Sequence, residues 1–402
     1  MKILVINAGS SSIKYQLLNM ADQTLMAAGI VERIGDANGA LSHKKYIDGK
    51  EQKTVIEKPI NDHKEGMHLL IDTITGSETG VIADKNEISA IGHRVVQGGE
   101  SFRSATLIDQ RTKEAIEENN VLAPLHNPAN LTGIQVAEEL FPGIPNVAVF
   151  DTEFHQSMPP KAFMYALPYD FYSELKIRKY GYHGTSHKYV TKNVAKAMDK
   201  NPEDINVITV HLGNGGSISA VRGGKCIDTS MGMTPLAGVM MGSRCGDIDP
   251  AIFGYLADMK KLSAKEVDAI LNKESGLKGI CGMNDMRDIH ESAAQGNEKA
   301  KLAVDMFTYV VKKYIGSYFA ALGTVDAIAF TAGIGENDDI VRAEVCSNMA
   351  GLGVELDLAA NVGRISVEKL ISTPSSKVQV WVIPTNEELQ IAQDTVEILK
   401  KM

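Results

Sequence analysis

Residue types that would place a chain in a special class are scarce in this sequence. Its 402 residues include 1 tryptophan and 4 cysteines, which are Cys226, Cys245, Cys281 and Cys346. No two of these cysteines have the C-x-x-C spacing that zinc knuckles and redox pairs use. We therefore expect four free thiols in a reducing compartment, the cytoplasm.

An excess of positive charge and long apolar segments are also lacking. The formal net charge is −9, which argues against a general binder of nucleic acid or of membrane surfaces. No apolar run has the length of a transmembrane helix, and the run Ile3–Ile6 is too short for the core of a signal peptide. We expect no nucleic-acid or membrane partner, and anion binding only where cationic side chains and backbone N–H groups converge.

What remains is the composition of an ordinary globular protein. Hydrophobic residues make up 44% of the sequence and charged residues 23%, which is typical of soluble domains. The chain is longer than a single hydrophobic core usually supports, so two domains are expected.

The stretch from Ile3 to Leu18 has the pattern of a strand, a tight turn and a second strand. A continuous apolar run leads into the turn residues Asn7–Ser12, and alternating apolar and polar residues follow. A turn built from Gly and Ser offers backbone N–H groups and hydroxyls to an anion, with Lys14 close behind. It is not a P-loop, because a strand rather than a helix follows. The alternative is an ordinary solvated turn.

A second copy of this pattern favours the phosphate-binding interpretation. Val207–Val221 again reads as an apolar run, a turn rich in Gly and Asn, and an alternating strand. Two such units in one chain indicate duplicated halves. A third glycine-rich turn, at 331–337, follows the apolar run Val325–Phe330 and precedes a helical pattern, which is typical of an anion or nucleotide site.

Periodicity and helix-end signals predict the remaining elements and the domain boundaries. Breaks near 150 and 384 give a first domain of 1–150 with 384–402 and a second of 151–383. Capping boxes are expected at Ser263–Glu266 and Thr385–Glu388. Strands are predicted at 87–96, 146–150 and 378–383, and helices after Pro59 and at 110–122, 129–140, 186–198, 250–259, 264–273 and 298–322.

Histidines at positions 183 and 187 have the spacing that places two imidazoles on one helix face. A zinc hydrolase would need H-E-x-x-H, whereas Gly184 follows the first histidine here. Thr185 and Ser186 look more like a helix N-cap. A histidine presented by a Gly-flanked loop suits an electrostatic or hydrogen-bonding role.

Two arginines and three oxygen-bearing side chains are the other candidates. Arg94 and Arg244 lie in glycine-rich loops, where a guanidinium can bind carboxylate or phosphoryl oxygens, although a surface salt bridge is the commonest alternative. Asn7, Asp151 and Glu387 are placed at strand ends of the first domain, where converging oxygens suit Mg²⁺. Asp151 could instead close a turn, and Glu387 could favour the start of the last helix.

Taken together, the motifs of this chain resemble those of the acetate kinase family from the first strand to the last helix. They are NAGSSSIKY, GHRVVQGGE, APLHNPANL, VFDTEFHQSMP, RKYGYHGTSH, HLGNGGSISA, DTSMGMTPLAGVMMGSRCGDIDP, FTAGIGEN and IPTNEEL. The resemblance implies an α/β fold of the sugar kinase, heat-shock chaperone and actin superfamily: two ribonuclease-H-like domains with mixed β-sheets flanked by helices and a cleft between them. The first domain would serve acetate and the metal, and the second would bind nucleotide and form a homodimer.

The resemblance also implies roles for individual residues. Asn7 and Glu387 would hold Mg²⁺, or Mn²⁺ in its place, and Ser10, Ser12 and Lys14 would lie near the phosphates of ATP or ADP. Asp151 would be the acid/base residue, and His183 and Arg244 would stabilise the transition state. Arg94 would bind the substrate carboxylate, and Val96, Leu125, Tyr182 and Pro235 would shape the pocket for its alkyl group. The nucleotide would be bound by His211, Leu212, Gly213, Asn214, Gly215, Asp285, Met286, Arg287, Gly333, Ile334, Gly335, Glu336 and Asn337.

Four positions depart from the family pattern. Gln97 stands where His commonly precedes the Gly pair, Cys245 where Ser follows the Arg, and Asn284 where Ser precedes the Asp. Tyr182 replaces a frequent Phe, which bears on the preference for acyl-chain length. None of the four removes a proposed catalytic group.

The expected reaction is direct, in-line and reversible transfer of the ATP γ-phosphoryl group to acetate, giving acetyl phosphate and ADP. Acetate is already ionised at pH 7, so Asp151 is expected to orient the nucleophile or the metal rather than to remove a proton. Propionate or butyrate kinases are the nearest alternative, and a non-catalytic actin-like nucleotide clamp is the alternative from another class.

Overall fold

The computed structural model describes all 402 residues, Met1–Met402. The chain forms two compact units, of which one is Met1–Glu153 with Asn386–Met402 and the other is Phe154–Thr385. Each unit contains one β-sheet. None of the helices combines the length and the apolar character that crossing a membrane requires.

The chain contains fourteen strands and fourteen helices, which follow one another in runs rather than in strict alternation. The strands are β1 (Lys2–Ala8), β2 (Ser12–Asn19), β3 (Thr24–Glu32), β4 (Ala40–Ile47), β5 (Lys50–Glu57), β6 (Ile88–Val95), β7 (Thr106–Leu107), β8 (Asn146–Phe150), β9 (Asn206–Leu212), β10 (Gly216–Arg222), β11 (Lys225–Thr229), β12 (Ala327–Thr331), β13 (Lys369–Leu370) and β14 (Gln379–Val382). The helices are α1 (His63–Thr75), α2 (Gln110–Glu118), α3 (Asn127–Leu140), α4 (Pro160–Phe163), α5 (Tyr169–Leu175), α6 (Gly184–Ala197), α7 (Ala251–Lys260), α8 (Ala264–Lys273), α9 (Gly276–Cys281), α10 (Met286–Ala294), α11 (Glu298–Leu322), α12 (Ala332–Asn337), α13 (Asp339–Cys346) and α14 (Glu387–Leu399). Single 3-10 turns lie at Lys85–Glu87, Asn119–Val121, Glu153–Ser157, Pro202–Asp204 and Ala350–Leu352.

The sheet of the first unit has eight strands in the order β5-β4-β3-β2-β1-β6-β8-β7. β1 pairs with β2 antiparallel and with β6 parallel, and β6 pairs with β8 parallel. Strand β1 is apolar on both faces because both are covered. Leu4 and Ile6 belong to the core that includes residues of α1 and α3, whereas Ile3 and Val5 belong to the core that includes residues of α14.

The sheet of the second unit repeats this arrangement. Its order is β11-β10-β9-β12-β14-β13, with β9, β12 and β14 parallel to one another and β10 antiparallel to β9. A hairpin followed by two parallel strands is therefore present in both units. This confirms the duplication predicted from the two glycine-rich hairpins.

The two faces of β9 and β10 differ in polarity. On one face, Ile208 and Val210 belong to the core that includes Phe307 and Val311 of α11. On the other face, Val207 packs in a core with Val190 and Val194 of α6. Towards the turn this second face becomes polar, with four fully or almost fully buried side chains that an apolar core would not need: Thr209, His211, Ser217 and Ser219.

Two predicted helix starts are wrong. The last helix is capped by Asn386, whose side chain accepts from the N–H of Leu389, while the Thr385 hydroxyl is 2.8 Å from that of Ser186. Glu387 therefore opens a helix and does not end a strand of the first unit. Helix α6 is preceded by His183 at φ +57° rather than capped by Thr185 or Ser186, because the Ser186 hydroxyl bonds His211 instead. The Ser263–Glu266 capping box is confirmed.

Candidate active site

The first hairpin turn forms as predicted and is held from outside by a histidine. Gly9 N–H donates to the carbonyl of Ser12 at 2.7 Å, and Nε2 of His63 on α1 donates to the carbonyl of Gly9 at 2.7 Å. Ser10 is exposed, and Lys14 lies opposite Asn7 in the β1–β2 register. The turn therefore has a defined conformation in which Ser10 and Ser11 are exposed and Ser12 is half-buried.

Arg94 and Asp151 form a two-point ion pair at the carboxyl ends of β6 and β8. Nε and Nη2 of Arg94 donate to the two carboxylate oxygens of Asp151 at 3.0 and 2.6 Å. Asp151 is 2% exposed. The adjacent carboxylate raises the pKa of the Arg94 guanidinium. The Nη1 edge of the guanidinium makes neither bond and is the edge that a second carboxylate could use.

Glu387 is the first residue of α14 and lies close enough to Arg94 and Asp151 for their charges to act on its carboxyl group. Burial, with the nearby Asp151 and Glu388 carboxylates, raises the pKa of Glu387 to about 7, and Arg94 and Lys14 act in the opposite direction. Burial thus disfavours the charged form of Glu387, and a nearby cation would favour it. Such a group accepts a cation readily.

Mg²⁺ takes oxygen ligands and keeps several waters and substrate phosphate oxygens, so it needs only one or two protein carboxylates. Glu387 would supply a carboxylate to such an ion, and Asn7, beside Lys14 in register, would supply an amide oxygen. No group of three or more His, Cys, Asp or Glu side chains in the chain is arranged to hold a metal by itself. The donor set therefore fits a Mg²⁺ ion that is shared with phosphate.

Two buried asparagines on α3 hold the loop after Arg94. Asn130 accepts from Val96 N–H at 3.1 Å and donates to the carbonyl of Ala8 at 2.7 Å. Asn127 accepts from Gln97 N–H at 3.1 Å and donates to its carbonyl at 2.9 Å. The motif APLHNPANL contained these residues, but sequence reasoning assigned them no task.

The other residues of this loop region differ in exposure. Gln97 closes the Gly pair, since its side-chain oxygen accepts from Gly99 N–H at 2.9 Å. Val96 is 8% exposed, whereas Leu125 is 74% exposed. Of the proposed alkyl-pocket residues in this unit, only Val96 is buried.

In the second unit, His183, Arg244 and the turn at 213–215 come together. A methyl group placed on Gly215 would lie 3.5 Å from Nη1 of Arg244 and 3.5 Å from Nε2 of His183. Both side chains therefore face the same small space beside this glycine. Residues far apart in sequence were proposed for one task, and within this unit the fold brings them together.

Arg244 makes no ion pair. Its Nη1 donates to the carbonyl of Pro235 at 3.2 Å and lies 3.8 Å from Sδ of Met241. The side chain is half-buried, and burial lowers the pKa of Arg244. A half-buried guanidinium with only neutral partners is arranged to receive an anion.

Two tyrosines fix the loop that contains Pro235. The Tyr182 hydroxyl donates to the carbonyl of Met233 at 2.7 Å, and the Tyr165 hydroxyl accepts from the N–H of the same residue at 2.9 Å. A side chain on Gly232 would approach the Tyr165 oxygen to 2.4 Å. The hydroxyl that distinguishes Tyr182 from phenylalanine thus bonds the backbone.

A cavity of about 760 Å³ in the second unit is lined by most of the proposed nucleotide-binding residues. Asp285 caps α10 and binds the Arg287 side chain through both oxygens, at 2.9 and 2.5 Å. This hydrogen bonding lowers the pKa of Asp285 to about 2. The lining also includes residues that sequence reasoning did not propose: Asn284, His290, Asp338, Asp339, Ile340 and Arg364.

Gly335 and Glu336 do not line this cavity and instead hold its glycine-rich turn. Glu336 accepts from the N–H groups of Ala332 and Thr385 at 2.8 and 3.0 Å. Ala332 has φ +65°, a strained value for a residue with a side chain. The Gly335 carbonyl accepts from Nη1 of the buried Arg342 at 3.0 Å.

The four histidines 155, 183, 187 and 211 lie close together in this unit. His183 stacks on His211 with ring centroids 4.2 Å apart, and its Nδ1 is 2.9 Å from Ser217 Oγ. The sequence spacing indicated that His183 and His187 lie near each other. It did not indicate that Ser217, which belongs to another element, lies between their rings. Only strand pairing shows that Ser217 lies opposite His211.

Two mixed sheets of one topology, each a hairpin followed by parallel strands, are the architecture of a protein with two ribonuclease-H-like domains. Comparison with known proteins identifies the family. The model of the acetokinase family matches residues 2–393. The acetate kinase of Oleidesulfovibrio alaskensis is 59% identical over 401 residues, which cover 100% of both chains.

Solved structures agree with this result. The acetate kinase of Porphyromonas gingivalis matches with a TM-score of 0.95 and 43% identity over 99% of each chain. A propionate kinase from Francisella tularensis matches with a TM-score of 0.89 and 43% identity over 98% of each chain. The chain belongs to the acetokinase family. It is a kinase that transfers a phosphoryl group to a carboxylate, with ATP and ADP as co-substrates, so the resemblance seen in the sequence is confirmed.

Proposed function

We propose that the chain transfers the γ-phosphoryl group of ATP to acetate by direct in-line displacement. An acetate oxygen forms the new bond to phosphorus, the bond to the β–γ bridging oxygen breaks, and ADP leaves with the electron pair. No proton has to move, because acetate is ionised at neutral pH. The reverse reaction uses the same groups.

The observation that supports this proposal most directly is the convergence of Arg244 and His183 beside Gly215. In phosphoryl transfer the negative charge on the equatorial oxygens must be stabilised while the reacting atoms are held in line. Arg244 supplies a cationic fork with no competing carboxylate, and His183 supplies an N–H donor. A non-catalytic nucleotide clamp would have no use for this pair.

Arg94 is proposed to bind the acetate carboxylate through its Nη1 edge, while Asp151 holds the opposite edge. Asp151 would then act by orienting Arg94, and general-base catalysis would not be its task. Val96, Leu125, Tyr182 and Pro235 are proposed to surround the alkyl group.

Asn7 and Glu387 are proposed to hold Mg²⁺, and Mn²⁺ can replace it. The ion would neutralise charge on the phosphate oxygens during transfer. Ser10, Ser12 and Lys14 of the first hairpin would bind the phosphates from the same unit. The nucleotide itself would occupy the cavity between the turns at 213–215 and 333–337 and the start of α10.

These assignments give each unit a task. We propose that Met1–Glu153 with Asn386–Met402 serves acetate and the metal, and that Phe154–Thr385 binds the nucleotide. We also propose a homodimer formed through the second unit. Large apolar side chains are exposed there on three helices: Tyr169 and Leu175 of α5, Tyr255 and Met259 of α7, and Leu302 and Tyr309 of α11. Light scattering on the purified chain tests this assembly.

Acetate is favoured over longer acids by the names of the relatives, but one methylene in an apolar pocket discriminates by only about 1–3 kcal/mol. The test is hydroxylamine trapping of acyl phosphate with ATP and Mg²⁺, comparing acetate, propionate and butyrate. We expect the highest kcat/KM for acetate. A higher value for propionate would reassign the substrate, and no product with intact ATP binding would favour the nucleotide clamp.

A further inference from the structure

Behind His183 runs a buried line of hydrogen-bonding side chains. Nδ1 of His183 is 2.9 Å from Ser217 Oγ, and Ser217 Oγ is 2.7 Å from Nε2 of His187. Nδ1 of His187 is 2.7 Å from Thr209 Oγ1. Ser217, His187 and Thr209 are each 0% exposed. The line thus extends from the turn at 213–215 into the interior.

The hydrogen count of this line restricts the state of His183. A serine hydroxyl has one hydrogen and can donate to only one of its two imidazole neighbours. His187 is neutral, because burial, reinforced by His155 and His211, holds its pKa well below 6.5. It therefore has a single ring N–H, and the direction of one bond sets the direction of the others.

One direction satisfies every group and points a donor at the phosphoryl site. Thr209 donates to Nδ1 of His187, Nε2–H of His187 donates to Ser217, and Ser217 donates to Nδ1 of His183. The remaining proton of His183 is then on Nε2, the atom that faces the space beside Gly215 and Arg244. In the opposite direction the buried Thr209 hydroxyl, which bonds His187 alone, would accept and have no acceptor for its own hydrogen, and a neutral His183 would have no hydrogen on Nε2.

We propose that Ser217 and His187 are positioning residues, which hold His183 as the tautomer with its proton on Nε2 and fix its ring plane. Stacking on His211, with an angle of 17° between the rings, restrains one face of the imidazole, but it does not select a tautomer. The hydrogen-bonded line supplies that selection. This inference rests on the proposed function, since it assigns His183 a donor role in phosphoryl transfer.

The chain offers a matched control for Ser217. Ser219 lies two residues further along β10 on the same face, is also 0% exposed, and bonds the side chains of Thr229, at 2.9 Å, and Cys226. Removing either hydroxyl removes one buried hydrogen-bonding group from the same strand. Only Ser217 contacts His183.

The experiment measures kcat, both KM values and ring ¹⁵N shifts of His183 in the full chain. In the wild type we expect a protonated Nε2 and an unprotonated Nδ1. Ser217→Ala should lower kcat about 10- to 100-fold, the loss that follows when a catalytic group is misplaced, and should leave KM within about threefold. It should also give a mixture of tautomers, whereas Ser219→Ala should change neither kcat nor the shifts.

A double-mutant comparison separates positioning from structure. In a His183→Ala background, Ser217→Ala should cause no further loss of kcat. If Ser217→Ala lowered kcat equally in the wild-type and His183→Ala backgrounds, the inference would be overturned. A protonated Nδ1 of His183 in the wild type would also overturn it, as would a Ser217→Ala variant with unchanged kcat and ring shifts. If Ser217→Ala does not fold, Thr209→Val breaks the far end of the line and should still shift the tautomer. If His183→Ala alone kept wild-type kcat, the proposed function of His183 would fail instead.

Discussion

Arg94 and Asp151 are joined by two hydrogen bonds, Nε to Oδ1 at 3.0 Å and Nη2 to Oδ2 at 2.6 Å. The pair connects the proposed acetate-binding group to the residue that the family resemblance named as acid/base. A carboxylate that already accepts hydrogen bonds from one guanidinium with both oxygens is suited to orienting that guanidinium. The geometry therefore supports the proposal that Asp151 orients Arg94, a task that fits an unprotonated substrate.

Asp151→Asn tests this task. The amide keeps the shape but has one acceptor oxygen, and its NH₂ group opposes an N–H of Arg94. We expect KM for acetate to rise and kcat to fall, so that kcat/KM drops about 10- to 100-fold, the equivalent of about 1.5–3 kcal/mol for a bond to a charged group. Arg94→Lys, which cannot form two parallel bonds, should raise KM for acetate similarly. Near-normal turnover of Asp151→Asn with normal Mg²⁺ dependence would refute both orientation and metal contact.

Glu387 and Glu388 provide a paired test of the metal site. Glu387→Gln keeps the side-chain volume and removes the charge of the proposed ligand. Because even the loss of an outer-shell partner weakens metal binding about 10- to 100-fold, we expect the Mg²⁺ concentration for half-maximal activity to rise at least about tenfold. Glu388→Gln is the control and should change it little. If this Mg²⁺ concentration rose equally in the two variants, both carboxylates would act only through their charge, and Glu387 would not be a ligand of the metal.

Tyr182→Phe separates packing from substrate choice. The hydroxyl bonds the Met233 carbonyl, so its loss should reduce the free energy of unfolding by about 1 kcal/mol. The acetate-to-propionate ratio of kcat/KM should stay within about threefold, because the ring is retained. Val96→Ala enlarges the apolar pocket and should shift the ratio towards propionate by about 1–3 kcal/mol. A tenfold change of this ratio in Tyr182→Phe would show that the hydroxyl itself determines the preference for acyl-chain length.

His93 makes the stability of the protein sensitive to acid. Burial lowers the pKa of His93 from 6.5 to about 4, so below pH 6.5 the unfolded state binds the proton that the folded state excludes. This contribution is complete above pH 6.5 and is lost as the pH falls towards 4. Between pH 7.5 and 5 it amounts to about 2 kcal/mol.

Urea unfolding at pH 7.5 and pH 5 measures this loss. We expect His93→Gln, which can still donate to Asn146, to lose about 2 kcal/mol less on acidification than the wild type. His68→Gln changes an exposed histidine on α1 and should behave as the wild type does. Identical pH dependence in His93→Gln and the wild type would mean that folding does not lower the pKa of His93.

Local sequence determined the elements and their duplication. Apolar runs before Gly-rich turns predicted both hairpins, and the helix predicted at 298–322 is α11 with the same bounds, because a long apolar stripe at helical spacing has no other way to be buried. The motifs also sufficed to identify the family. Local rules failed where a side chain had a distant partner: Thr385 and Ser186 bond each other, so neither caps a helix.

The tertiary structure alone decided which polar groups meet. The polar end of the β9–β10 face and the line from His183 to Thr209 depend on strand pairing and on the way α6 packs, and sequence spacing contains neither. The same is true of the convergence of Arg244 and His183 on Gly215 and of the pairing of Arg94 with Asp151. The sequence determined which groups were available. Only folding placed them within hydrogen-bonding distance of one another, because buried polar side chains must find partners wherever the packed elements leave them.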